Sequence, residues 1–227
     1  MLKQAVGRII RSAGYSLTRI ERDETKTGLV FQQIPGWFTA KEAEALYLLA
    51  ATSTASRFLE IGHFLGRSTS VFCEAIRDTG HAVEFNSYDL GFTNSEEFIA
   101  HYRKVHDTRS TTPPEEYERL VFSEGTTTTQ VAGRNLERLG LRRYVNLISG
   151  DFTQLEKGRY GLIFCDAVHD IGEINLMLPH VMAASEDDCI WALHDMTPEY
   201  IDHVQRIVDA PLIRTADSLG IFRFKRR

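Results

Sequence analysis

The segment 58–69, FLEIGHFLGRST, is the feature that most constrains the fold of this chain. Its apolar residues up to Ile61 predict a buried strand, and Gly62 predicts a sharp turn after it. Gly66 and the polar residues that follow predict the start of a helix whose free N–H groups face the loop. A strand, a glycine loop and a helix in this order are typical of the place where a nucleotide-like ligand meets a parallel sheet.

The two glycines have the spacing Gly-x-x-x-Gly, which differs from the Gly-x-Gly-x-x-Gly pattern of dinucleotide-binding loops. The dinucleotide pattern places more glycine where a pyrophosphate lies against the helix. Its absence favours a ligand with an adenosine and no diphosphate, a description that S-adenosylmethionine fits. Two alternatives stay open. A nicotinamide-dependent oxidoreductase is compatible with Asp89, and a protein that binds a cofactor without turnover is compatible with the loop.

Length, charge and cysteine content narrow the class of protein. A chain of 227 residues fits one α/β domain with extra elements. The 31 acidic and 26 basic residues give a net charge of −5, which disfavours a nucleic-acid partner. Cys73, Cys165 and Cys189 lie in apolar segments and are predicted to be buried thiols in a reducing compartment. No segment has the length of a membrane-spanning helix or the apolar core of a signal peptide, so we expect a cytoplasmic protein.

Residues 1–35 are expected to form an N-terminal amphipathic helix and a connecting segment. Apolar residues recur at helical spacing from Leu2 to Leu17, with basic residues among them and no acidic residue before Glu21. Such a helix could contact an anionic membrane surface. Docking on its own domain, or on a second subunit in a homo-oligomer, is favoured because Gly7 and Gly14 weaken it as a free helix.

The rest of the chain alternates strands with helices, which predicts a parallel sheet. Thr39-Ala40-Lys41-Glu42 predicts a capping box at the start of the first of these helices. The expected strands are 57–61, 83–88, 144–149, 160–165 and 189–193, and the expected helices are 67–78, 127–139, 170–182 and 198–208. Apolar runs at 212–214 and 219–224, around Asp217-Ser218, predict a closing antiparallel hairpin. Residues 91–125 are too long for a simple crossover and predict a lid or a subunit contact.

Six landmarks occur in a characteristic order: Gly36-Trp37-Phe38, the glycine loop, Tyr88-Asp89, Gly150-Asp151-Phe152, the run 164–169 and His194-Asp195. In this order they resemble the class I S-adenosylmethionine-dependent methyltransferases, and in particular a bacterial subgroup of small-molecule O-methyltransferases. The resemblance implies a Rossmann-like α/β fold over 36–227. Its sheet would be mostly parallel and seven-stranded, with an antiparallel C-terminal hairpin, helices on both faces and a lid-like insertion at 91–125.

The same resemblance implies an activity: methyl transfer from S-adenosylmethionine to a hydroxyl of a small molecule, such as a sugar or a glycosylated natural product. The residues expected to bind the cofactor are Glu60, Gly62, His63, Phe64, Gly66, Arg67, Ser68, Asp89, Asp151 and Phe152. The resemblance assigns adenine to the last two, with Asp151 accepting the exocyclic amine.

Several of these residues have a structural alternative. Asp89 ends a strand, where its carboxylate can accept both ribose hydroxyls, but an Asx turn with Gly91 is equally common. Asp151 could cap a turn. Glu60 is expected to receive loop N–H bonds or touch the methionine ammonium group, or to be purely structural. Arg67 is expected to bind the cofactor carboxylate or a substrate anion, or to brace the glycine loop.

The strongest chemical cluster follows the fourth and fifth strands. Asp166 ends one strand and His169 and Asp170 follow closely, so a helix starting there would bring the three to one side of the cleft. Asp195 ends the neighbouring strand, so Asp166 and Asp195 could share one hard cation.

In the metal-dependent proteins that the chain resembles, Asp166 and Asp195 would bind Mg²⁺ and His169 would be the general base, with Asp166 and His169 as the catalytic pair. For His169, a helix-capping or solvent-facing role is the alternative. Several such proteins have an acidic residue where this chain has His194. Because imidazole is a poor magnesium ligand, His194 is expected to orient Asp195 through a hydrogen bond rather than bind the metal.

Overall fold

The computed structural model describes residues 28–93, 96–100 and 126–226. Its strands are β1 (Arg57–Ile61), β2 (Glu84–Asp89), β3 (Asn146–Ser149), β4 (Tyr160–Cys165), β5 (Ser185–Leu193), β6 (Leu212–Ala216) and β7 (Leu219–Lys225). They form one seven-stranded sheet in the order β3-β2-β1-β4-β5-β7-β6. The first five strands pair in parallel, whereas β7 runs antiparallel to both β5 and β6.

The helices cover both faces of this sheet. They are α1 (Ala40–Thr52), α2 (Arg67–Thr79), α3 (Thr128–Arg138), α4 (Ile171–Ala184) and α5 (Pro198–Ile207). Side chains alternate along each strand, so Phe58 and Phe164 pack with α1, α2 and α3, while Leu59 and Ile163 pack with α4 and α5. The predicted Rossmann-like fold, with its antiparallel C-terminal hairpin, is confirmed.

Local sequence explains where the first helix begins. The Thr39 side chain accepts a hydrogen bond from the Glu42 N–H, and the Glu42 carboxylate accepts one from the Thr39 N–H at 2.8 Å. This is the predicted capping box, which satisfies two of the N–H groups that a helix start leaves without partners.

Two strands begin two or more residues from their predicted starts, for physical reasons. The strand predicted at 144–149 begins at Asn146 because Arg142–Tyr144 form a short 3-10 helix. The strand predicted at 189–193 begins at Ser185, and the acidic run 186–188 hides its first half in the sequence. Asp188 tolerates this position because it lies opposite β7 and accepts a hydrogen bond from Arg223 at 2.6 Å.

Some predictions fall outside the described residues. The amphipathic helix predicted near the N-terminus lies in 1–27, and of the insertion at 91–125 only 91–93 and 96–100 are described. Residues 96–100 are helical and bury Phe98. Within the described ranges, every helix is too short or too polar to cross a bilayer. The three cysteines are buried free thiols, as predicted.

Glu60 places a fully buried carboxylate in the centre of the sheet. It points to the α2 face and accepts hydrogen bonds of 2.6 Å from the hydroxyls of Ser68, Thr69 and Ser87. Burial raises the pKa of Glu60 to about 7, and this effect outweighs the three hydrogen bonds, which lower it. Hydroxyl groups therefore take the place of the loop N–H donors expected for this residue.

The raised pKa makes the stability of the protein depend on pH in a defined direction. Below pH 4.5, the ordinary pKa of this group, Glu60 is protonated in both the folded and the unfolded chain. As the pH rises to about 7, the unfolded chain alone releases the proton, so stability is lost. Relative to Glu60→Gln, the wild type should lose about 3 kcal/mol of unfolding free energy across this window.

Urea unfolding at half-unit steps from pH 4 to about pH 8.5 measures this difference. The control is Glu44→Gln, which changes an exposed glutamate of α1 and should follow the wild-type curve. A constant free-energy difference between wild type and Glu60→Gln across the window would contradict the raised pKa.

Candidate functional site

A pocket opens at the carboxyl ends of β1, β2 and β4, where parallel sheets bind their ligands. Every predicted site residue lines it except Glu60 and Gly66. Glu60 lies behind the glycine loop, and Gly66 forms the N-cap of α2 in a left-handed conformation. The loop and the acidic cluster therefore face one shared cavity.

The turn after β1 depends on a glycine. Gly62 has φ +92°, and a Cβ atom at this position would lie 2.8 Å from the backbone oxygen of Asp166. The turn also holds Phe64 at φ +44°, an unfavourable conformation for a bulky residue. The Phe64 N–H donates to Asp89 Oδ2 at 2.8 Å, which ties this strained loop to the end of β2.

Asp89 forms the Asx turn that was its alternative interpretation. Its Oδ1 accepts a hydrogen bond from the Gly91 N–H at 2.9 Å, while its Oδ2 accepts the one from Phe64. The Thr128 hydroxyl also donates to Oδ1, at 3.4 Å. Because a carboxylate has about four acceptor positions, these three bonds still leave capacity for a ligand hydroxyl. The side chain is half-buried and lines the pocket, and its ribose role stays a prediction.

The buried ring of His63 is engaged by the protein itself. Its Nδ1 lies 3.0 Å from the Ser87 hydroxyl, and its Nε2 lies 3.2 Å from the Thr129 hydroxyl. Burial lowers the pKa of His63, so the neutral ring is favoured. Ser87 also contacts Glu60, which makes His63 part of a polar network that supports the loop from behind.

Arg67 braces the segment that precedes α1. Its guanidinium donates to the carbonyl of Ile34 at 2.7 Å and to that of Phe38 at 3.1 and 3.2 Å, and it lies 4.9 Å from the ring centroid of Phe31. A Cβ atom at Gly36 would lie 2.9 Å from Arg67 Cδ. The bracing role that was considered for Arg67 concerned the glycine loop, whereas these contacts hold the segment 31–38; anion binding by Arg67 stays a prediction.

Asp151 and Phe152, the two residues predicted to bind adenine, also make contacts within the protein. Asp151 accepts hydrogen bonds from the N–H group of Thr153, at 2.7 Å, and from its hydroxyl, so it caps a short 3-10 helix. Phe152 packs with its ring centroid 5.5 Å from that of His180. Both residues also line the pocket, and adenine binding stays a prediction for them.

The acidic cluster assembles from two neighbouring strand ends. His194 Nδ1 lies 2.6 Å from Asp166 Oδ1 and 3.7 Å from Asp195 Oδ1, so this ring orients Asp166 more directly than Asp195, its expected partner. His169 Nδ1 lies 3.3 Å from Asp195 Oδ2. Asp170 does not join them, because it is exposed and is the N-cap of α4, which starts one residue later. The prediction that a helix start groups Asp170 with the cluster was wrong.

Both histidines of the cluster gain proton affinity from their neighbours. For His169, burial opposes the charged ring, but the hydrogen bond to Asp195 and the charge of Asp166 raise its pKa. Burial also lowers the pKa of His194. The charge of Asp166 and the hydrogen bonds to Asp166 and Glu42 outweigh this effect, so the pKa of His194 is well above the usual range.

Glu42 is a site residue that the sequence interpretation missed. Its Oε2 lies 3.3 Å from His194 Nε2, and its side chain is 1% exposed. Burial raises the pKa of Glu42, but its contacts with His194 and Ser218 outweigh this and lower the pKa to about 2. The available signal was its position beside Ala43 and Leu46 on the apolar face of α1, where a glutamate needs a partner.

An aromatic wall above the glycine loop was also missed. Phe64 stacks against Trp37, with ring centroids 5.9 Å apart, and against Phe98 at 5.8 Å. Phe92 meets the edge of Phe98 at 5.9 Å. All four residues line the pocket, so the segment before α1 and the start of the insertion both border the cavity.

Asp166, His194 and Asp195 each offer a ligand atom, and these atoms lie within 4.8 Å of one another. His194 fits poorly as a ligand because both of its ring nitrogens face carboxylates, at Asp166 and at Glu42. The two aspartates fit Mg²⁺, which binds through one or two carboxylates and keeps several waters.

Comparisons with known proteins agree with this geometry. A family model described as a methyltransferase domain matches residues 59–196, more than half of the 227-residue chain. No curated protein sequence matches the chain.

Solved structures share the fold at low sequence identity. An S-adenosylmethionine-dependent O-methyltransferase from Thermotoga maritima has 13% identity and a TM-score of 0.54, covering 85% of this chain and 68% of its own. The Streptomyces achromogenes O-methyltransferase TomG, involved in tomaymycin synthesis and solved with S-adenosylmethionine, has 13% identity and a TM-score of 0.53, with coverages of 96% and 94%. A tRNA methyltransferase from Aquifex aeolicus has 13% identity and a TM-score of 0.54, with coverages of 85% and 71%.

At such identities the structural likeness establishes the fold and leaves the acceptor open, since enzymes of one fold act on many substrates. The family match begins inside β1 and spans the glycine loop and the acidic cluster, which line the pocket. The chain therefore belongs to the methyltransferase domain family and carries the Rossmann-like fold of the class I methyltransferases.

Proposed function

We propose that this methyltransferase transfers the methyl group of S-adenosylmethionine to a hydroxyl of a small molecule, such as a sugar or a glycosylated natural product. One observation carries the proposal: a single pocket has the glycine loop and Asp89 on one side and Asp166, His169 and Asp195 on the other. The O-methyltransferases among the structural neighbours, one solved with S-adenosylmethionine, support this cofactor and reaction. The net charge of −5 favours a small acceptor over a nucleic acid.

The cofactor side of the pocket is built from groups that suit an adenosine. Asp89 would accept the ribose hydroxyls with its remaining acceptor positions, and Phe152 offers an apolar face beside Asp151 for adenine. The turn at Gly62 lets the backbone approach the ligand closely, because no side chain intervenes.

The acceptor side supplies a base. A hydroxyl with a pKa near 15 is a weak nucleophile, so a group must take its proton as the oxygen attacks the methyl carbon and the carbon–sulfur bond breaks. His169 Nδ1 lies 3.3 Å from Asp195 Oδ2, a contact that favours the proton on Nδ1, and Nε2 would be the ring atom that accepts the acceptor's proton. Holding oxygen, carbon and sulfur in line contributes about 7 to 11 kcal/mol of barrier reduction in well-oriented reactions.

Asp166 and Asp195 would be the residues that hold Mg²⁺ in this proposal, with His194 outside the ligand set. When bound, the cation would supply Lewis-acid chemistry that lowers the pKa of an acceptor hydroxyl.

Phe92 and Phe98 lie at the start of the insertion and line the pocket, which supports the expectation that 91–125 covers the acceptor.

Replacing Asp89 tests the cofactor side. Asp89→Ala removes acceptors for two ribose hydroxyls and should weaken binding of S-adenosylhomocysteine by about 1 to 3 kcal/mol in calorimetry. Asp89→Asn keeps one acceptor for the backbone N–H groups and should lose less. Asp187→Ala, which changes an exposed carboxylate, is the matched control. An unchanged dissociation constant for folded Asp89→Ala would refute the ribose role.

Replacing His169 tests the base. His169→Ala should lower turnover at saturating substrates by more than about tenfold, since general-base assistance is worth about a hundredfold or more. The affinity for S-adenosylhomocysteine should stay the same, because His169 lies on the acceptor side. His203→Ala, which changes a partly buried histidine of α5 outside the pocket, controls for loss of a histidine as such. Turnover within about a factor of two of wild type would exclude His169 as the base.

Chelation tests the cation. Treatment with EDTA should abolish most of the turnover, and added MgCl₂ should restore it, because two carboxylates from neighbouring strand ends suit a hard cation. Calorimetric titration with MgCl₂ should give binding to the wild type and none to Asp195→Asn. Full activity after exhaustive chelation, with no metal found by elemental analysis, would replace this proposal with a metal-independent base mechanism.

A further inference from the structure

Glu42 stands out because it precedes the matched family residues 59–196 and yet reaches the acidic cluster. It lies in the first turn of α1, on the face that packs against the sheet. His194 follows β5 directly. Because side chains alternate along that strand, it points to the same face as Ala192. This alternation brings the ring of His194 to α1 and its Nε2 to Glu42.

The hydrogen bonds of Glu42 define the role of His194 Nε2. The Glu42 carboxylate accepts the Ser218 hydroxyl at 2.7 Å, the Ser218 N–H at 3.0 Å and the Thr39 N–H at 2.8 Å. Ser218 Oγ also lies 3.4 Å from His194 Nε2. Since its own proton is directed to Glu42, this oxygen can only accept there. Both neighbours of Nε2 are therefore acceptors, and Nε2 is a donor.

The opposite edge of the ring is held in the same way. His194 Nδ1 lies 2.6 Å from Asp166 Oδ1, and an ionised carboxylate only accepts hydrogen bonds. The ring centroid lies 5.4 Å from that of Phe38 and 6.4 Å from that of Phe164, so aromatic neighbours restrict its rotation. His194 thus donates at both edges and connects Glu42 to Asp166.

We propose that Glu42 is a positioning residue for this site, which acts through the ring of His194 to fix the carboxylate of Asp166 at the edge of the pocket. The inference rests on the proposed function for the reaction that Asp166 serves, and on hydrogen-bond geometry for the connection itself. Glu42 does not line the pocket itself. Through Glu42 and its partner Ser218, α1 and the turn between β6 and β7 help to position the site, although both lie outside the matched family residues.

The first experiment measures turnover and cofactor binding in Glu42→Gln. A glutamine oxygen in the place of Oε2 can still accept the Thr39 N–H, so the helix start is preserved. The side chain is then neutral and its NH₂ group faces the Ser218 N–H, so the charge-assisted contact with His194 is lost. Turnover should fall by about tenfold, with the Kd for S-adenosylhomocysteine unchanged within about twofold. Glu74→Gln is the matched control, because Glu74 is also a buried glutamate that accepts a backbone N–H, that of Val30 at 2.8 Å, away from the pocket. It should keep wild-type turnover.

A double-mutant cycle separates positioning from general stability. In a His194→Gln background, Glu42→Gln should change turnover by less than about twofold, because the connection to Asp166 is already broken. An equal loss in both backgrounds would overturn the proposal. A parallel loss of cofactor affinity, or a similar loss in Glu74→Gln, would also overturn it.

A second variant keeps the proposal testable if Glu42→Gln fails to fold. Glu42→Asp keeps the carboxylate but shortens the side chain by one CH₂ group, so it should reach His194 Nε2 less well and lower turnover with the Kd for S-adenosylhomocysteine unchanged. Wild-type turnover in folded Glu42→Asp would overturn the proposal. If the wild type transfers no methyl group, the proposed function fails. A crystal structure of the Glu42 variant then still decides the positioning role, because His194 and Asp166 in their wild-type orientations would overturn it.

Discussion

The backbone ladder between β1, β4 and β5 is the constraint on which the rest of the site depends. It continues one residue beyond each strand: the Asp166 N–H donates to the Ile61 carbonyl at 2.8 Å, and the His194 N–H donates to the Cys165 carbonyl at 2.9 Å. These bonds fix where each chain segment leaves the sheet. They bring the backbone of Asp166 so close to Gly62 that a side chain on Gly62 would collide with it. The glycine loop and the acidic cluster are therefore consequences of one register.

Two buried glutamates near this ladder are stabilised by opposite means. Glu60 has three hydroxyl partners, and burial raises its pKa to about 7. Glu42 is also buried, but the ring of His194 and the donors of Ser218 outweigh that cost and lower its pKa to about 2. Burying a charged group costs little free energy only where a partner of opposite charge or a hydrogen-bond donor compensates for the lost water. Glu60 thus helps to hold the glycine loop in place, whereas Glu42 is part of the charged cluster.

Much of the fold could be predicted because its signals are local. The capping box at Thr39, the turn at Gly62 and the alternation of apolar strands with amphipathic helices all depend on residues a few positions apart. The strand end at Asp166 could be predicted in the same way. The start of β5 could not, because the partner of its Asp188 is Arg223, which lies 35 residues further along the chain on β7. The grouping of Asp170 with the cluster failed because this residue caps α4 instead.

The sequence by itself determined the order of strands and helices, the place of the glycine loop and the strand ends that carry Asp89, Asp166 and Asp195, since periodicity and turn chemistry are properties of neighbouring residues. Only the tertiary structure decided that Arg67 braces the segment before α1, that four aromatic rings line the pocket, and that Glu42 reaches Asp166 through His194. These contacts join residues far apart in the chain. They exist because the pairing of strands in one sheet brings their elements together, and in a parallel sheet the paired strands are far apart in the sequence.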